Sequence, residues 1–392
     1  MPAPYVVVLQ EGADANAVVA DLEQRHHFTA SHRYTAAFAG FAAHLTARQR
    51  AAVVQESAVA AIHADRRFRL SAGLPAPRGA VIASGVSRIG GGAKAASVAV
   101  AVIDTGVDTH PDLDVRSGTN CVGPFSRRAD ATLDDNGHGT HVAGTIGGKG
   151  GTGVAPGTVI YAVKVLDATG GGTTSSVICG IDWVTANAAH LGIGVASMSL
   201  GMPGASDTSC GRTNADPLHR AICRSVSGGT VYVVAAGNDG RDVAGSIPAA
   251  YPEVLAVSAI ADTDGAPGGK GAIASCAGPR DRDDSAASFS NYAHRMAEAQ
   301  HLVAAPGVCI RSTWPHGRYN TISGTSMATP HVSAVVALCL SSGRCHGASA
   351  DVARQVRADA QAHATGANGF AGDPRHPVTG RIYGDLAWAG GY

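Results

Sequence analysis

The chain has 392 residues, and its Lys plus Arg count and its Asp plus Glu count are both 30. Because no net charge exists to attract a polyanion, nucleic acid and anionic membranes are not expected as partners. No window reaches the roughly 18 consecutive apolar residues that a membrane-spanning helix needs, and the 51 glycines follow no three-residue period, which excludes collagen. The length allows one large domain and one small domain.

Residues 1–70 predict a small, separately folding α+β module of ferredoxin-like type. Strand and helix periodicities alternate and give the order strand, helix, strand, strand, helix, strand. The stretches are YVVVLQ, NAVVADLEQRH, SHRYTAAF, GFAAHLTA, ARQRAAVVQES and VAAIHAD. All the cysteines lie beyond residue 120, which sets this module apart. A segment rich in Gly, Pro, Ser and Ala follows at 71–85 and is predicted to be a linker.

Residues 86–392 predict an α/β domain with a doubly wound, mainly parallel sheet. Runs that are apolar on both faces alternate with helical segments, which indicates strands covered by helices on both sides. The strands are ASVAVAVID, TVIYAVKVL, GVASMSL, TVYVVAAGN and EVLAVSAI, and the helices are HGTHVAGTIG, TSSVICGIDWVTANAAH and PLHRAICRSV. Ligands of such sheets bind at the carboxyl ends of the strands, so functional side chains are expected there.

Three polar residues lie at such junctions. Asp104 ends AVAVID, Asn238 ends VYVVAAGN, and His138 lies between two glycines at the start of HGTHVAGTIG. Taken singly, Asp104 and Asn238 are also typical of ordinary turns. His138 and His141 have a spacing that could hold a metal, yet no HExxH or nearby carboxylate pattern accompanies them. Glycines around a histidine instead suit a base held close to another backbone segment.

A fourth polar residue, Ser326, lies in SGTSMATPH directly before a long apolar run. One interpretation is a helix start, because Ser and Thr side chains accept hydrogen bonds from the first backbone N–H groups of a helix. The other is a nucleophile at a helix N-terminus, where the dipole and the N–H donors stabilise a developing oxyanion.

Together, the four residues predict acyl transfer. Ser326 would attack a carbonyl carbon, His138 would take and return the proton, and Asp104 would fix the imidazole tautomer. The side-chain amide of Asn238 and the backbone N–H of Ser326 would hold the oxyanion. No cofactor is required for this chemistry.

The motifs AVIDTGVD, NGHGTHVAG, SMSLG, AAGN and SGTSMATPH resemble those of the subtilisin-like serine endopeptidases, peptidase family S8. The chain order Asp, His, Ser agrees with that family. The resemblance covers residues 78–392, and GVAPGTVIYAVKVLDATGGGTTSSVICGIDWV is similar to the proteinase K-like branch and related secreted bacterial enzymes. It implies a subtilisin-like fold and polypeptide substrates.

The resemblance also implies where a substrate binds. In this family the peptide lies extended between two backbone segments and adds itself as a strand. The positions that match are Gly170, Gly171 and Gly172 on one side, Ser199, Leu200 and Gly201 on the other, and Ala235, Ala236 and Gly237 in the pocket for the residue before the scissile bond. Such a pocket has no fixed charge, so broad specificity with an apolar or aromatic preference is expected. The three consecutive glycines are also typical of a turn.

The first 70 residues resemble the family's inhibitory propeptide, of the I9 type. This resemblance implies that the module assists folding, and that its C-terminal tail occupies the cleft as an intramolecular inhibitor until it is cut. Parallel sheets with distant contacts fold slowly, so a folding template has a physical rationale. We expect self-cleavage between Arg69 and Gly79.

Eight cysteines with no CxxC spacing favour disulfides, hence an oxidising compartment and export. The chain start shows no signal peptide, so we expect a trimmed signal or an upstream start. Cys339, Cys345 and His346 as metal ligands are the competing interpretation. Candidate pairs, judged from separation alone, are Cys210–Cys223 and Cys339–Cys345, with Cys276–Cys309 and Cys121–Cys179 remaining. The connectivity stays open.

Structural calcium is compatible with an exported enzyme, but its ligands stay unassigned. In the proteinase K-like branch one site uses two carbonyls and a carboxylate. Pro252 and Val254 match the carbonyl positions, whereas Leu302 stands where the aspartate would fall. The acidic run RDRDD at residues 280–284 is interpreted as a solvated loop rather than a metal site.

Two other classes of protein compete with an active protease. A subtilisin-like scaffold used for binding would lose a member of the triad, yet all four candidate residues are present. A metal-binding or disulfide-rich structural module would lose activity with a chelator and not with a serine reagent. We expect a monomeric enzyme.

Overall fold

The computed structural model of the chain describes residues 1–70, 85–123, 130–272, 276, 278, 280–365 and 368–392. The predicted linker at 71–85 lies outside the described residues except for Gly85, and so does most of the predicted cleavage interval. No helix of the described residues is long and apolar enough to cross a membrane.

The N-terminal module has the predicted order of elements. These are β1 (Ala3–Leu9), α1 (Ala15–His26), β2 (Ala30–Tyr34), β3 (Gly40–Leu45), α2 (Ala47–Val53) and β4 (Val59–Ala64). The strands form an antiparallel sheet in the order β2-β3-β1-β4. Side-chain caps start both helices: Asp14 accepts from two N–H groups of α1, and Thr46 forms a capping box with Gln49 in α2. The module buries its own apolar cluster, which includes Val19 and Phe41.

The strands of residues 85–392 form one large sheet, one hairpin and part of a small sheet. In chain order they are β6 (Ala99–Asp104), β7 (Asp114–Asn120), β8 (Val159–Lys164), β9 (Gly171–Thr173), β10 (Ile193–Met198), β11 (Leu200–Pro203), β12 (Val231–Ala235), β13 (Ser246–Ile247), β14 (Leu255–Ala261), β15 (Ser285–Ala286), β16 (Leu302–Pro306), β17 (Ile310–Trp314), β18 (Arg318–Ile322) and β19 (Asp385–Leu386). One further strand, β5 (Arg67–Leu70), comes before them.

The large sheet has the order β19-β16-β14-β12-β10-β6-β8-β7, and every pairing along this path is parallel. Consecutive residues of β6 point to opposite faces: Val100 and Val102 belong to one buried cluster, and Ala101 and Ile103 to another. Both faces are therefore covered, as the apolar runs predict.

Helices cover both faces of this sheet. They are α3 (Gly85–Arg88), α4 (His138–Gly147), α5 (Thr174–Leu191), α6 (Pro217–Ser227), α7 (Met296–Ala299), α8 (Thr325–Ser342) and α9 (Ser349–His363). Helices α4, α8 and α9 contribute to one buried cluster, and α5 and α6 contribute to the other. This is the predicted doubly wound fold.

A small sheet joins the N-terminal module to the rest of the protein. Its order is β13-β11-β5-β9, so β5 lies antiparallel between two strands of the C-terminal unit. The side chain of Phe68 is fully buried there, whereas Arg67 and Arg69 are exposed. The pattern analysis did not predict β5 as a strand.

Four disulfides join the cysteines in the four candidate pairs. They are Cys121–Cys179, Cys210–Cys223, Cys276–Cys309 and Cys339–Cys345. The competing interpretation of Cys339 and Cys345 as metal ligands is wrong in this structure, because both sulfurs are in a disulfide.

Candidate active site

Asp104 and His138 form a buried pair at the carboxyl end of β6. The Nδ1 atom of His138 lies 2.8 Å from Oδ1 of Asp104, and neither side chain is more than 3% exposed. Oδ1 of Asp104 also accepts a hydrogen bond of 2.7 Å from the backbone N–H of Thr105. The Nε2 atom of His138 is buried and has no hydrogen-bond partner among the described residues. The aspartate thus fixes the ring and leaves Nε2 available for a proton.

Glycine after His138 allows this pair to form. A Cβ atom at Gly139 would lie 2.0 Å from the carbonyl oxygen of Gly106 and 3.2 Å from Cβ of Asp104. Only glycine at position 139 therefore permits helix α4 to lie this close to the end of β6. The expectation of a histidine held near another backbone segment matches this contact.

A network around Asp134 supports the pair, and the sequence analysis missed it. Oδ2 of Asp134 accepts from the backbone N–H and the hydroxyl of Thr140, at 2.9 and 2.6 Å. Oδ1 accepts from the hydroxyl of Thr105 at 2.8 Å, and that hydroxyl oxygen accepts from the N–H of Gly139 at 2.9 Å. The acidic pair in DDNGHG, three and four residues before the histidine, was the available signal.

Ser326 lies in the first turn of α8 and is fully buried. Its hydroxyl donates to the carbonyl oxygen of Ser199 at 3.0 Å, and the Ser199 hydroxyl donates to the carbonyl oxygen of Ser326 at 2.9 Å. The residue before the helix is Gly324, which has no side chain with which to cap it. The segment therefore starts a helix, as one interpretation predicts, but its N-cap is a glycine and not a Ser or Thr.

Asn238 follows β12 and is held against the start of α8. Its Oδ1 atom accepts from the backbone N–H of Thr325 at 2.9 Å and from the Thr325 hydroxyl at 2.8 Å. Because the carbonyl side of the amide is engaged in this way, the NH2 group points to the opposite side. Asn291 holds the same loop, since its Oδ1 accepts from the N–H groups of Asp239 and Arg241. No sequence pattern predicts these roles of Thr325 and Asn291.

The six residues expected to flank a substrate lie on two segments on either side of β5. Arg69 is paired with Gly171 on one side and with Gly201 on the other, and Leu70 is paired with Leu200. The N–H of Leu70 also donates to the carbonyl oxygen of Gly170 at 3.0 Å. A Cβ atom at Gly170 would lie 2.6 Å from Cδ1 of Leu70, so this glycine leaves room for the Leu70 side chain.

The cleft beside β5 has a volume of about 670 Å³, and His138, Gly170, Trp314 and Leu70 contribute to its lining. Ala235, Ala236 and Gly237, expected in a pocket, end β12 and lead to Asn238. The backbone N–H of Gly237 donates to the Thr325 hydroxyl at 3.2 Å, which brings this segment next to α8.

His138 and His141 make different contacts. His138 Nδ1 is engaged by Asp104, and His141 Nε2 lies 3.0 Å from the carbonyl oxygen of Ile310. Burial, together with the neighbouring His138, lowers the pKa of His141 to about 3, so its ring is neutral near pH 7.

The interpretation of RDRDD as a solvated loop is wrong for its three aspartates. Asp281, Asp283 and Asp284 are at most 7% exposed. Asp284 forms a buried ion pair of 2.8 Å with Arg88, and the other two accept backbone N–H groups. Backbone donors and one arginine thus replace water around these carboxylates.

Leu302 begins β16 and is 1% exposed within the apolar core. It supplies no oxygen ligand from its side chain, as the sequence indicates.

Near the acidic run, burial raises the pKa of Asp262 to about 7, with Asp284 and Asp283 adding to the effect.

Comparisons with known proteins match these features. Residues 95–370 match the Subtilase family, and residues 4–71 match Peptidase inhibitor I9. M-protease from Shouchella clausii (strain KSM-K16) is 40% identical over 253 residues, which are 63% of this chain and 55% of that protein. Subtilisin Savinase from Lederbergia lenta is also 40% identical over 253 residues, covering 63% of this chain and 77% of that protein.

A solved structure, described as the crystal structure of a cold adapted subtilisin-like serine proteinase, is 32% identical to this chain with a TM-score of 0.54. The match covers 81% of this chain and 94% of the other. The parallel sheet and these matches define the class of fold as subtilisin-like. The chain belongs to the subtilase family and carries an I9 inhibitor module at its N-terminal side. The resemblance and the fold class predicted from the sequence are thereby confirmed, although the match spans little more than half the length of M-protease, 55%.

Proposed function

We propose that the protein is a secreted serine endopeptidase that is made as a self-processing zymogen. The observation that carries this proposal is the buried Asp104–His138 pair, with an Nε2 atom available for a proton, in the cleft that β5 enters. The proposed boundaries are 1–70 for the propeptide, 71–85 for the linker with the processing site, and 86–392 for the catalytic domain.

In the proposed reaction, Nε2 of His138 takes the hydroxyl proton of Ser326 while Oγ attacks the carbonyl carbon of the substrate. The same proton then passes to the leaving amine as the peptide bond breaks, which leaves an acyl-enzyme on Ser326. Water, deprotonated by Nε2 of His138, then attacks the acyl carbon. The bond from that carbon to Oγ breaks, the acid is released, and His138 returns the proton to Oγ of Ser326. Asp104 holds the ring and stabilises its charged form throughout.

The developing oxyanion would accept hydrogen bonds from the side-chain NH2 of Asn238 and the backbone N–H of Ser326. Two observations support this assignment. Thr325 donates hydrogen bonds to the oxygen of the Asn238 amide, and Ser326 lies in the first turn of α8. Loss of one such donor typically costs about 3 kcal/mol of transition-state stabilisation.

The N-terminal module would act as an intramolecular inhibitor through β5. Its strand pairs with both β9 and β11, which are the two segments proposed to bind a polypeptide substrate. Asp182 on α5 anchors the module further, because one carboxylate oxygen accepts the N–H groups of Thr35, Ala36 and Ala37 at 3.0, 2.8 and 2.8 Å. Cleavage between Arg69 and Gly79 would release this strand.

We further propose broad specificity with an apolar or aromatic residue before the scissile bond. The small, uncharged side chains of Ala235 and Ala236 support a pocket without a fixed charge. Four disulfides support export to an oxidising compartment. We propose that the enzyme acts as a monomer.

Replacing the nucleophile tests the proposal. We expect Ser326→Ala to lower peptide hydrolysis by at least about 1000-fold and to leave the N-terminal module attached in the pure protein. Ser333→Ala is the matched control, because Ser333 is a buried serine of the same helix, with its hydroxyl bonded to Ser197. The measurements are hydrolysis of a peptide library and sequencing of the new N-terminus. Normal processing of pure Ser326→Ala protein would contradict self-cleavage, and absence of fluorophosphonate labelling at Ser326 in processed protein would contradict the nucleophile.

A further inference from the structure

We propose that Asp262, Asp264 and Asp283 form a binding site for one divalent cation of the calcium type. The three residues lie beyond the carboxyl end of β14 and just before β15, on the segment that contains the acidic run. They are separate from the candidate active site, and the proposal does not depend on the proposed function.

The three carboxylates are close enough to hold one ion. One oxygen from each side chain lies within 4.8 Å of the corresponding oxygen of the other two. Oxygen ligands lie about 2.3–2.6 Å from Ca²⁺, so two ligands of the same ion are at most about 5 Å apart. The observed separations fit that limit.

A buried carboxylate oxygen without a partner points to a missing ligand. Asp262 is 1% exposed, and its Oδ2 atom has no hydrogen-bond partner among the described residues. Its other oxygen accepts from the N–H of Gly265 at 3.1 Å. A buried charge without a partner is costly, and a cation at this place would supply the missing interaction.

Backbone and hydroxyl donors fix the other two carboxylates. Oδ1 of Asp283 accepts from the N–H and the hydroxyl of Thr263 at 2.7 and 3.0 Å, and Oδ2 accepts from the N–H of Gly271 at 2.7 Å. Oδ1 of Asp264 accepts from the N–H of Ala266 at 2.9 Å. The ligands are thus oriented before an ion arrives, which lowers the cost of binding.

The charge balance also favours a cation. Within the part of the chain that the structure describes, no ion pair within 4.0 Å joins any of the three aspartates to a basic side chain. Arg88 is the nearby buried cation, but its guanidinium is engaged by Asp284 at 2.8 Å. A set of carboxylate oxygens without nitrogen or sulfur ligands suits a hard cation such as Ca²⁺.

A bound ion would stabilise the region where the C-terminal unit begins. Asp284, next to the ligand Asp283, binds Arg88 of α3 and accepts the N–H groups of Gly268 and Gly269 at 2.6 and 3.0 Å. The ion would therefore connect the end of β14, the loop that contains Gly268 and Gly269, and helix α3.

The test measures calcium binding and thermal unfolding of the full chain with Ser326→Ala, which prevents self-digestion. Between EDTA and about 10 mM CaCl2 we expect a rise in melting temperature of roughly 5 °C, for a dissociation constant near 0.1 mM. Addition of Asp264→Asn should remove one bound Ca²⁺ per chain by isothermal titration calorimetry and abolish most of the rise. Asp264 is exposed, so this variant is expected to fold.

Asp130→Asn is the matched control, because Asp130 is also exposed and its Oδ1 also accepts the N–H of the residue two positions on, at 2.9 Å. It should bind Ca²⁺ as the parent does. A second variant, Asp262→Asn, should unfold in EDTA at a temperature equal to or above that of the parent, because it removes an uncompensated buried charge, and should gain nothing from CaCl2. Unchanged Ca²⁺ stoichiometry and affinity in Asp264→Asn, or a full CaCl2 response in Asp262→Asn, would overturn the proposal.

Discussion

Gly139 lies at the contact between the backbone segment that carries Asp104 and the one that carries His138. Its amide N–H donates to Thr105, and the place of a Cβ atom is taken by the carbonyl of Gly106. The position of the imidazole therefore depends on a residue that takes no part in the chemistry. Overpacking of such a contact typically costs about 1–3 kcal/mol of stability.

We expect Gly139→Ala to slow self-cleavage by about 100-fold, because a displacement of about 1 Å in the base costs that much. The measurement is the rate at which purified full-length chain loses its N-terminal module, together with the melting temperature. Gly245→Ala is the control, since no atom of the described residues lies within 4 Å of the Cβ position there and its φ is not positive. A Gly139→Ala chain that processes at the parental rate would show that the close approach does not position His138.

For individual residues, sequence patterns predicted the side chains at the ends of long apolar runs. They did not predict the residues that hold those side chains in place by hydrogen bonds. Asp104, His138 and Asn238 follow or open strongly periodic segments, so their positions could be predicted. Thr325 and Asn291 act through contacts between segments far apart in the chain, and no local pattern signals such contacts.

Strand β5 is the element that joins the two units. It has four residues in the pattern RFRL, with exposed arginines on one side and a fully buried Phe68 on the other. Phe68 packs in the same cluster as Leu166, Met202 and Ile247 of the C-terminal unit. The strand is therefore held by the core of the unit that it is proposed to inhibit.

In the Ser326→Ala chain, we expect Phe68→Ala to weaken docking of β5 by about 3–5 kcal/mol, the usual cost of deleting a buried aromatic side chain. Hydrogen exchange at the amide of Leu70, which donates to Gly170, should become about 100-fold faster or more. Arg67→Ala, on the exposed side of the same strand, should leave the exchange rate close to that of the parent. Equal protection in all three chains would mean that Phe68 does not anchor the strand.

The elements with long periodic patterns were predicted, and the short ones were not. The six elements of residues 1–70 and the parallel strands β6, β8, β10, β12 and β14 have the predicted order. Strand β5 was missed because its four residues form a strand only between β9 and β11. The acidic run was also misinterpreted because its structure depends on other segments. The backbone N–H groups that bond to its aspartates come from the 262–271 loop and from residues 278 and 288.

Four disulfides cross-link the C-terminal unit over very different lengths of chain. The paired residues are 58 positions apart for Cys121–Cys179 and 6 apart for Cys339–Cys345. The first connects the segment after β7 to helix α5, whereas the second connects the last turn of α8 to the segment directly after that helix. A longer closed loop restricts the unfolded chain more strongly.

We expect removal of Cys121–Cys179, by alanine at both positions, to lower the free energy of unfolding by about 4 kcal/mol, and removal of Cys339–Cys345 by about 2 kcal/mol. Denaturant unfolding of the Ser326→Ala chain measures both values. The second variant serves as the comparison for the first, since each loses two buried or half-buried sulfurs. The reverse order of the two losses would show that native packing, rather than loop length, decides the effect.

Release of β5 would expose β9 and the edge of β11 that faces it, because β5 lies between these two strands in the small sheet. A polypeptide that takes the place of β5 must be extended, with backbone groups free to pair with β9 and β11 at the same time. Helices and compact domains do not present such a segment. If the proposed peptidase function holds, cleavage of a stably folded target would be limited by the rate at which that target unfolds locally, so partly unfolded proteins would be cleaved before well-ordered ones.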